Sequence, residues 1–235
     1  MFQFRKNTLD SYIFYQIVHQ NEYKLKNDLS DQIVVDIGAH IGSFTIASLQ
    51  RNAKYVYAYE AHPENYALSK KNIEKTSGNA SIENLAVIGN SNQNKKVGYS
   101  DLSFNTGKHS ITPDILDNKY VDTILFDDII KKVTSEHGNK IDILKIDCEG
   151  SEYPILYTSL CMCSINNIVG EYHNNVDPAN IDKNSYLNYN GSGLVKFLQD
   201  AGFLAYHQYI KDAGLFFATR KLQKNPFLLD IGEDL

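Results

Sequence analysis

The sequence predicts an α/β fold built on a mostly parallel sheet, and three stretches carry that prediction. Residues 33–49 contain an apolar run, a turn with glycines and then apolar residues at helical spacing, which indicates a buried strand followed by a helix. The same order recurs over residues 54–73 and 141–156. Repeated strand–helix units are typical of a parallel sheet with helices on both faces.

The composition predicts one main domain. The 235 residues are 43% apolar, which is enough for one sizeable core, and no linker rich in Pro, Gly or Ser divides them. We expect a helical extension over residues 1–30, the main domain over 31–220 and a tail over 221–235. The N-terminus lacks the apolar core and cleavage site of a signal peptide, and no apolar run reaches the ~18 residues that indicate a membrane span. We therefore expect a soluble, cytoplasmic protein.

The charge and the cysteines argue against two further classes of protein. Lys and Arg number 23 against 28 Asp and Glu, so the net charge is -5 at pH 7. Nucleic-acid binding normally leaves a basic surface, so we expect no nucleic-acid partner. Cys148, Cys161 and Cys163 show neither a disulfide framework nor the paired spacing of a zinc site. We interpret them as reduced core residues.

Residues 8–26 predict an amphipathic helix, because Leu9, Ile13 and Ile17 recur at four-residue spacing. Such a helix either packs on the edge of the sheet or covers a ligand site. Helical periodicity does not distinguish these two arrangements, so both stay open.

The turn after the first predicted strand carries two glycines and begins a helix. Backbone amides at a helix N-terminus point outward and favour a negatively charged group, and Gly38 and Gly42 let a ligand approach the main chain. Asp36 adds a carboxylate at the end of the strand. Together these groups suit a zwitterion, with the amides binding its carboxylate and Asp36 binding its ammonium.

Two other nucleotide-binding turns do not fit this sequence. A phosphate loop needs a Gly-Lys-Ser/Thr ending, and the dinucleotide motif needs a glycine where His40 stands. Glu60 ends the next strand about 20 residues further on, where an acidic side chain accepts hydrogen bonds from both hydroxyls of a ribose. An amino-acid zwitterion joined to a ribose describes S-adenosylmethionine. The alternative is a strand of any α/β protein, with Glu60 solvated at a strand end.

The third strand is predicted over residues 80–88, with its end beside Glu60. This position places Asn84 and Ala86 where an adenine would stack or form hydrogen bonds. For Asn84, an ordinary turn amide is the alternative.

Residues 89–120 carry a weak pattern rich in Asn, Ser, Gly and Lys. A long stretch without clear structure inside a domain is usually functional, and we expect it to help recognise the substrate. His109 lies within it as a candidate base, with a solvated loop histidine as the alternative. The chain then resumes with a predicted strand over 121–125 and a helix capped by Asp127 or Asp128.

Residues 141–156, IDILKIDCEGSEYPIL, form the second informative stretch. Lys145 interrupts an apolar strand with a charge that is costly to bury unless it is paired. Asp147 and Glu149 follow at the end of that strand, where open α/β folds bind their ligands. The nearest acidic candidates to pair with Lys145 are Asp147, Glu149, Glu152 and Glu171.

The combined motifs resemble a known family. DIGAHIGSF, YEAHPEN, ENLAVIG, ILFDDII, KIDCEGSEYPIL and IVGEYH are similar to the FkbM family of S-adenosylmethionine-dependent methyltransferases over residues 33 to about 219. KIDCEGSE, close to the family pattern KIDxEGxE, is the most specific motif. The resemblance implies a class I methyltransferase Rossmann-like fold with a seven-stranded sheet, and cofactor contacts at Asp36, Gly38 and Glu60. It also implies O-methylation of a sugar or natural-product hydroxyl.

The remaining chain fits that architecture. SINNIVGEYH predicts a strand ending in Glu171 and His173, and GLVKFLQDAGF predicts a short helix ending at Gly202. FLAYHQYI and GLFFATR then predict an antiparallel hairpin at the edge of the sheet. The residues expected to bind S-adenosylmethionine are Asp36, Gly38, Ala39, His40, Gly42, Glu60, Ala61, Asn84 and Ala86.

Methyl transfer from a sulfonium requires the acceptor to be positioned and to lose its proton. Asp147, Glu149 and His173 are the candidate catalytic residues, because the ordinary pKa of histidine suits a base near neutrality and Glu171 is placed to orient it. For His173, a histidine at the start of a loop with a structural hydrogen bond is the alternative. We expect no metal, although these ligand types leave a divalent cation open. The expected acceptor is a neutral small molecule, most simply a sugar. A cofactor-binding protein without turnover and a nicotinamide-dependent oxidoreductase are the alternatives.

Overall fold

The computed structural model describes residues 2–92, 94–100, 107, 111–112, 119–138, 140–174, 188–210 and 213–221. In chain order its strands are β1 (Ile33–Ile37), β2 (Tyr55–Tyr59), β3 (Ala80–Glu83), β4 (Ala86–Ile88), β5 (Lys96–Tyr99), β6 (Ile111–Thr112), β7 (Tyr120–Leu125), β8 (Ile141–Ile146), β9 (Ile165–His173), β10 (Phe203–Ile210) and β11 (Ala213–Arg220). Its helices are α1 (Asp10–Phe14), which continues as a π-helical turn over Tyr15–His19, α2 (Ser43–Leu49), α3 (Pro63–Ile73), α4 (Phe126–His137), α5 (Glu152–Tyr157) and α6 (Gly191–Asp200), with a 3₁₀ turn over Met162–Ser164.

The main sheet has seven strands in the order β10-β11-β9-β8-β1-β2-β3. The run from β9 to β3 is parallel throughout. β11 pairs antiparallel with both β9 and β10, so the terminal hairpin forms one edge of the sheet. The predicted mostly parallel, seven-stranded sheet with an antiparallel edge hairpin is therefore confirmed.

Helices cover the main sheet on both faces, and β1 lies near its centre. All five residues of β1 are buried. Val35 and Ile37 pack with apolar residues of α4, α5 and α6, whereas Val34 packs with residues of α2 and of the N-terminal segment. Burial on both faces explains why β1 is an apolar run interrupted only by Asp36.

The prediction of one strand over residues 80–88 is wrong. The chain breaks at Asn84 and Leu85, so that β3 pairs with β2 while β4 pairs with β7 in a second sheet ordered β4-β7-β5-β6. The side-chain amide of Asn84 donates to the carbonyl oxygens of Glu60 (2.8 Å) and Ala61 (2.9 Å). These bonds hold the turn between the two strands and explain the break.

The N-terminal helix is shorter than predicted. It ends at His19, and not at residue 26. Asn21 has a positive φ of 53°, and its side chain bonds the backbone N and O of Leu25 at 2.9 and 2.7 Å. This local bonding stabilises a turn in place of a further helical turn.

α4 begins without the predicted side-chain cap. Its N-cap residue is Leu125, and no side chain bonds the first amides. Asp127 instead accepts hydrogen bonds from Ser159 Oγ (2.6 Å) and the Leu160 amide (2.9 Å). Asp128 pairs with a lysine one turn along the helix. The prediction that Asp127 or Asp128 caps this helix is wrong, because both carboxylates are used elsewhere.

Some predictions fall outside the described residues, namely those on His109, on half of residues 89–120 and on residues 222–235. The three cysteines are free, but they are not core residues, since Cys148 and Cys161 are half-buried and Cys163 is exposed on the 3₁₀ turn. Among the described residues, no helix has the length and apolar character needed to cross a membrane.

Candidate active site

A cavity of about 310 Å³ opens at the carboxyl ends of the central parallel strands. The ends of β1 and β2, with β4, contribute Gly38, Ala39, His40, Glu60, Ala61 and Ala86 to its wall. β8, β9 and the loop after β8 contribute Lys145, Asp147, Cys148, Glu149, Ser151 and Glu171. The N-terminal segment contributes Leu9, Tyr12, Ile13, Gln16, Ile17, Glu22 and Tyr23. This is where open parallel α/β sheets bind their ligands.

The amides of the glycine turn are bonded within the protein. The N–H groups of Gly38 and Ala39 donate to the carbonyl oxygen of Tyr59 at 2.9 and 3.0 Å. The N–H of His40 donates to Glu60 Oε2 at 2.7 Å. These three amides therefore differ from the outward-pointing donors that we expected, because the end of β2 lies against the turn.

Gly38 and Gly42 both have positive φ, of 76° and 90°. A Cβ at Gly38 would lie 1.8 Å from the carbonyl oxygen of Asp147, so glycine is required where the ends of β1 and β8 touch. A Cβ at Gly42 would lie 3.2 Å from a side-chain carbon of Ile73, so this glycine lets α2 approach α3. Gly38 therefore shapes the strand ends at the cavity, whereas Gly42 serves the packing of the two helices.

Asp36 is fully buried and lies behind the cavity wall. Its Oδ2 accepts a hydrogen bond from Thr45 Oγ1 at 2.7 Å, and its Oδ1 lies 3.3 Å from Lys145 Nζ. Lys145 also donates to the carbonyl oxygen of Gly38 at 2.6 Å and lies 3.9 Å from Asp147 Oδ2. The group that reaches the cavity from this pair is therefore the ammonium of Lys145.

The charge of Lys145 is stable in this environment. Burial disfavours the charged amine, but Asp36 and then Asp147 outweigh it and raise the pKa of Lys145. The predicted partner Asp147 is confirmed as a neighbour, while the closer partner Asp36 was missed. A signal was available, because Asp36 and Lys145 each precede the last residue of their strand and pair across the parallel register.

Glu60 lines the cavity and is almost fully buried. Its oxygens accept from the amides of His40 (2.7 Å) and His62 (2.8 Å) and from the side chain of Asn65 (3.5 Å). Burial raises the pKa of Glu60 to about 7, although these donors and Lys145 oppose that shift. Each carboxylate oxygen has two lone pairs, so Oε1 is filled by His62 and Asn65, whereas Oε2, which accepts only from His40, retains capacity for a further donor.

The side chain of His40 faces the N-terminal segment. His40 Nε2 lies 3.5 Å from Asp10 Oδ1 and 3.4 Å from Arg5 Nη2. Asp10 is fully buried and forms two hydrogen bonds with the Arg5 guanidinium, at 2.9 and 3.0 Å. Burial lowers the pKa of His40, while Asp10 opposes this shift. These contacts attach the start of α1 to the glycine turn.

The structure brings the predicted catalytic residues together. Asp147, Glu149 and His173 each place a nitrogen or oxygen within 4.8 Å of the others, which is close enough for them to share one small cation. His173 Nε2 lies 3.2 Å from Glu149 Oε2 and 3.9 Å from Glu171 Oε1, and His173 Nδ1 lies 3.2 Å from Glu152 Oε1. We call Asp147, Glu149, Glu171 and His173 the rim.

Two of the rim carboxylates, Glu149 and Glu171, have raised pKa values. Burial raises the pKa of Glu149 to about 8, with Asp147, Glu152 and Glu171 adding to the shift and His173 opposing it. Burial, followed by Asp147, raises the pKa of Glu171 to about 7. Protons therefore bind and leave these two groups near neutral pH.

His173 departs from the near-neutral pKa on which the sequence argument relied. Burial disfavours its charged form, but the hydrogen bond and charge of Glu152, followed by Glu149 and Asp147, raise the pKa of His173 to about 10. The imidazole is therefore protonated at pH 7. Glu152 is the main cause of this raised pKa, whereas the sequence indicated Glu152 only as a candidate partner for Lys145.

The N-terminal segment brings its own polar groups to the rim. Tyr23 is buried, and its hydroxyl donates to Asp147 Oδ2 at 3.1 Å. Burial, followed by the charge of Asp147, raises the pKa of Glu22, which also lines the cavity. The segment lines the cavity through Leu9, Tyr12 and Ile13 and packs on the core through Phe14 and Val18, so it shows features of both arrangements left open for it. Helical periodicity carries no signal for these contacts.

The remaining predicted residues divide into those that line the cavity and those that support its wall. Ala39, Ala61 and Ala86 line it. Asn84 uses its amide on the carbonyl oxygens of Glu60 and Ala61, as the turn alternative predicted.

A mostly parallel seven-stranded sheet with an antiparallel terminal hairpin and a cavity at its carboxyl ends is the architecture of class I methyltransferases. A putative S-adenosylmethionine-dependent methyltransferase from Listeria monocytogenes superposes with a TM-score of 0.52 at 11% identity, covering 90% of this chain and 99% of that one. A precorrin-6y C5,15-methyltransferase from Geobacter metallireducens GS-15 gives 0.49 at 14% identity, covering 94% of each chain. TrmK of M. capricolum, in complex with S-adenosyl-homocysteine, gives 0.46 at 13% identity, covering 89% and 68%.

Residues 36–205 match the family model of the methyltransferase FkbM domain. This match spans well over half of the chain, and the chain belongs to the FkbM methyltransferase family. No curated protein sequence matches it significantly. Family and fold together support S-adenosylmethionine-dependent methyltransferase activity.

Proposed function

We propose that this protein transfers the methyl group of S-adenosylmethionine to a hydroxyl group of a sugar or another small polar molecule. The observation that carries the proposal is the rim, where carboxylates with pKa values near neutrality border the same cavity as Glu60. Proton removal from a hydroxyl near neutral pH needs a base of this kind.

The cavity residues fit the cofactor. Glu60 presents a buried carboxylate whose Oε2 has acceptor capacity for a ribose hydroxyl, and Lys145 presents an ammonium for the cofactor carboxylate. Ala61, Ala86 and Val87 offer an apolar surface for a purine. In this proposal, the predicted residues that face the cofactor are Gly38, Ala39, His40, Glu60, Ala61 and Ala86. The other three predicted residues lie behind the cavity wall and hold these six in place, namely Asp36, Gly42 and Asn84.

S-adenosylmethionine supplies a methyl group on a positively charged sulfur, which is already reactive. The protein must therefore hold the acceptor oxygen in line and receive its proton. We assign proton removal to Glu149, because burial gives its carboxylate a high proton affinity. Glu149 would receive the hydroxyl proton as the acceptor oxygen bonds to the methyl carbon and the bond from that carbon to sulfur breaks, with S-adenosylhomocysteine as the leaving group. His173, protonated and 3.2 Å away, holds Glu149 in place, and Asp147 is held by Tyr23.

The charge of the rim supports a neutral acceptor. An anionic acceptor would be repelled by several carboxylates in a partly desolvated cavity. Tyr12 supports a sugar, since its ring lines the cavity and is 59% exposed, as a stacking surface for a sugar would be. The side chain of Gln16 lies beside it and donates to the Tyr12 hydroxyl at 3.3 Å.

Two measurements test this function. Calorimetric titrations with S-adenosylmethionine, S-adenosylhomocysteine and NAD should show binding of the first two, and tighter binding of NAD would refute the cofactor assignment. Methyl transfer should then be followed by mass spectrometry with a panel of methyl glycosides, amino sugars and catechols. We expect the added methyl on oxygen, and a product methylated on nitrogen or carbon would refute the assignment of the acceptor.

A further inference from the structure

Glu152 lies at the meeting point of the two strand ends that form the rim. It is the first residue of α5 and is fully buried. Its Oε1 accepts from the Cys148 amide at 2.9 Å, and its Oε2 accepts from the Gly150 amide at 2.8 Å. Oε1 also lies 3.2 Å from His173 Nδ1. One carboxylate therefore contacts both the loop after β8 and the last residue of β9.

The contact with Glu152 bears on the orientation of the His173 ring and on which ring nitrogen carries a proton. A carboxylate accepts hydrogen bonds, so Glu152 fixes a proton on Nδ1 and turns Nε2 toward Glu149. The backbone of His173 is held as well, because the hydroxyl of Tyr153 donates to its carbonyl oxygen at 3.0 Å. The imidazole is thereby restrained on its side chain and on its main chain.

We propose that Glu152 is a positioning residue, which holds the His173 imidazole with a proton on Nδ1 so that Nε2 secures Glu149 at the cavity. The role in the reaction rests on the proposed function, because Glu149 is the group to which we assign proton removal. Glu152 itself touches neither cofactor nor acceptor in this assignment. It acts through His173 and through the loop that carries Asp147 and Glu149.

Four carboxylates face His173, and Glu152 differs from the other three. Glu149 and Glu171 approach Nε2, at 3.2 and 3.9 Å, and Asp147 acts through its charge. Glu152 alone among these four is fully buried, and it alone contacts Nδ1. Replacing Glu171 removes a neighbouring charge but leaves the Nδ1 contact, which makes Glu171→Gln a control for electrostatics alone.

The parent protein provides the first test. Nitrogen-15 spectra of the imidazole should be recorded in EDTA, with S-adenosylhomocysteine bound and without it, and assigned with His173→Gln. We expect both ring nitrogens of His173 to carry protons at pH 7, with the Nδ1 proton protected from exchange. A neutral ring with an unprotonated Nδ1 at pH 7 would overturn the proposal, whatever the behaviour of any variant.

The second test compares Glu152→Gln with Glu171→Gln. We expect Glu152→Gln to lower the pKa of His173 by about one unit or more and to expose the Nδ1 proton to exchange, because a neutral amide replaces the buried charge. Glu171→Gln should leave the Nδ1 proton protected. Equal behaviour of the two variants would contradict a specific role for Glu152. Circular dichroism and S-adenosylhomocysteine affinity report whether each variant is folded. If Glu152→Gln does not fold, the spectra of the parent protein alone decide whether His173 carries a proton on Nδ1.

Neither test uses an acceptor, so the outcome is independent of whether the proposed methyl transfer is found. If turnover is measured, Glu152→Gln should lower kcat and shift the pH profile while leaving the KM for S-adenosylmethionine within a few-fold. A purely structural role would instead change stability and both kinetic constants without moving the pH profile.

Discussion

At the scale of single residues, the buried Lys145 ammonium shows how this cavity tolerates so many carboxylates. Its nitrogen is shared by Asp36 at 3.3 Å, the carbonyl oxygen of Gly38 at 2.6 Å and Asp147 at 3.9 Å. A lone buried charge is costly, and pairing with hydrogen bonds offsets that cost, so removing one partner of a buried pair is strongly destabilising. Removing this charge leaves the Asp36 carboxylate buried without its counter-charge, so Lys145 is required for the wall of the cavity as well as for the cofactor contact that we propose.

Glu60→Ala should weaken S-adenosylhomocysteine binding by about 1 to 3 kcal/mol, the scale of hydrogen bonds to a charged group. The change also frees the amide of His40, which now donates to Glu60. Isothermal titration measures the effect directly. Glu83→Ala is a matched control, because Glu83 ends the neighbouring strand β3 and pairs with Lys132 on the surface at 3.0 Å. Equal dissociation constants for parent and Glu60→Ala would remove Glu60 from the cofactor site.

Glu149→Gln should reduce turnover by about 10² to 10⁴, the usual contribution of one positioned base. Cofactor affinity should stay within a few-fold, because Glu149 borders the acceptor end of the cavity. Single-turnover rates with labelled S-adenosylmethionine separate the chemical step from binding. Asp147→Asn and His173→Gln should also slow that step. If all three variants react at the parent rate, the proton leaves by another route.

At the scale of elements, the N-terminal segment completes the cavity, although the family match begins only at residue 36. Its attachment depends on the buried Asp10, which bonds Arg5 and lies beside His40. Gln3 adds a second anchor, since its amide donates to Asn72 of α3 at 2.7 Å. Since Tyr23 donates to Asp147, the segment joins the glycine turn to the rim.

Asp10→Ala should loosen this segment. Amide exchange over residues 10–19 should become faster by at least about tenfold, equivalent to ~1.4 kcal/mol of local opening, because Arg5 and His40 lose their shared partner. Hydrogen exchange followed by mass spectrometry measures it. Asp200→Ala removes an exposed pair with Lys196 and serves as the control. Exchange in Asp10→Ala as slow as in the parent would show that apolar packing alone holds the segment.

The elements that sequence analysis predicted correctly are those whose cause is local. β1 and most of β8 are buried on both faces, so each is largely an apolar run that a sequence reveals. The break at Asn84 and the turn at Asn21 depend on single side-chain hydrogen bonds to the backbone, which compete with regular structure without a periodic signal. The rim could be predicted as a set of strand ends, but the contact between Glu152 and His173 joins two segments and has no sequence signature.

At the scale of the whole molecule, the rim concentrates negative charge in one place. The chain has a net charge of -5, and Glu22, Asp147, Glu149 and Glu171 all border one cavity. Burial and mutual repulsion raise the pKa values of Glu22, Glu149 and Glu171, so the folded state holds protons that the unfolded chain would release. The stability of the protein should consequently depend on pH in a direction fixed by the rim.

The pKa values of Glu149 and Glu171 rise from 4.5 to about 8 and 7, and that of His173 rises from 6.5 to about 10. A raised pKa means that the group binds more protons in the folded state than in the unfolded state. Each such group therefore contributes its full stabilisation below its pKa in the unfolded state, and this stabilisation is lost as the pH rises through its pKa in the folded state. We therefore expect the free energy of unfolding to fall by about 1 to 3 kcal/mol between pH 6 and pH 9.

Urea unfolding of the parent and of Glu149→Gln at both pH values isolates the rim, because all other titrating groups are common to the two proteins. The free energy of unfolding of the variant should fall less than that of the parent over this interval. An equal or larger fall would contradict the assignment of raised pKa values to the rim in the folded state.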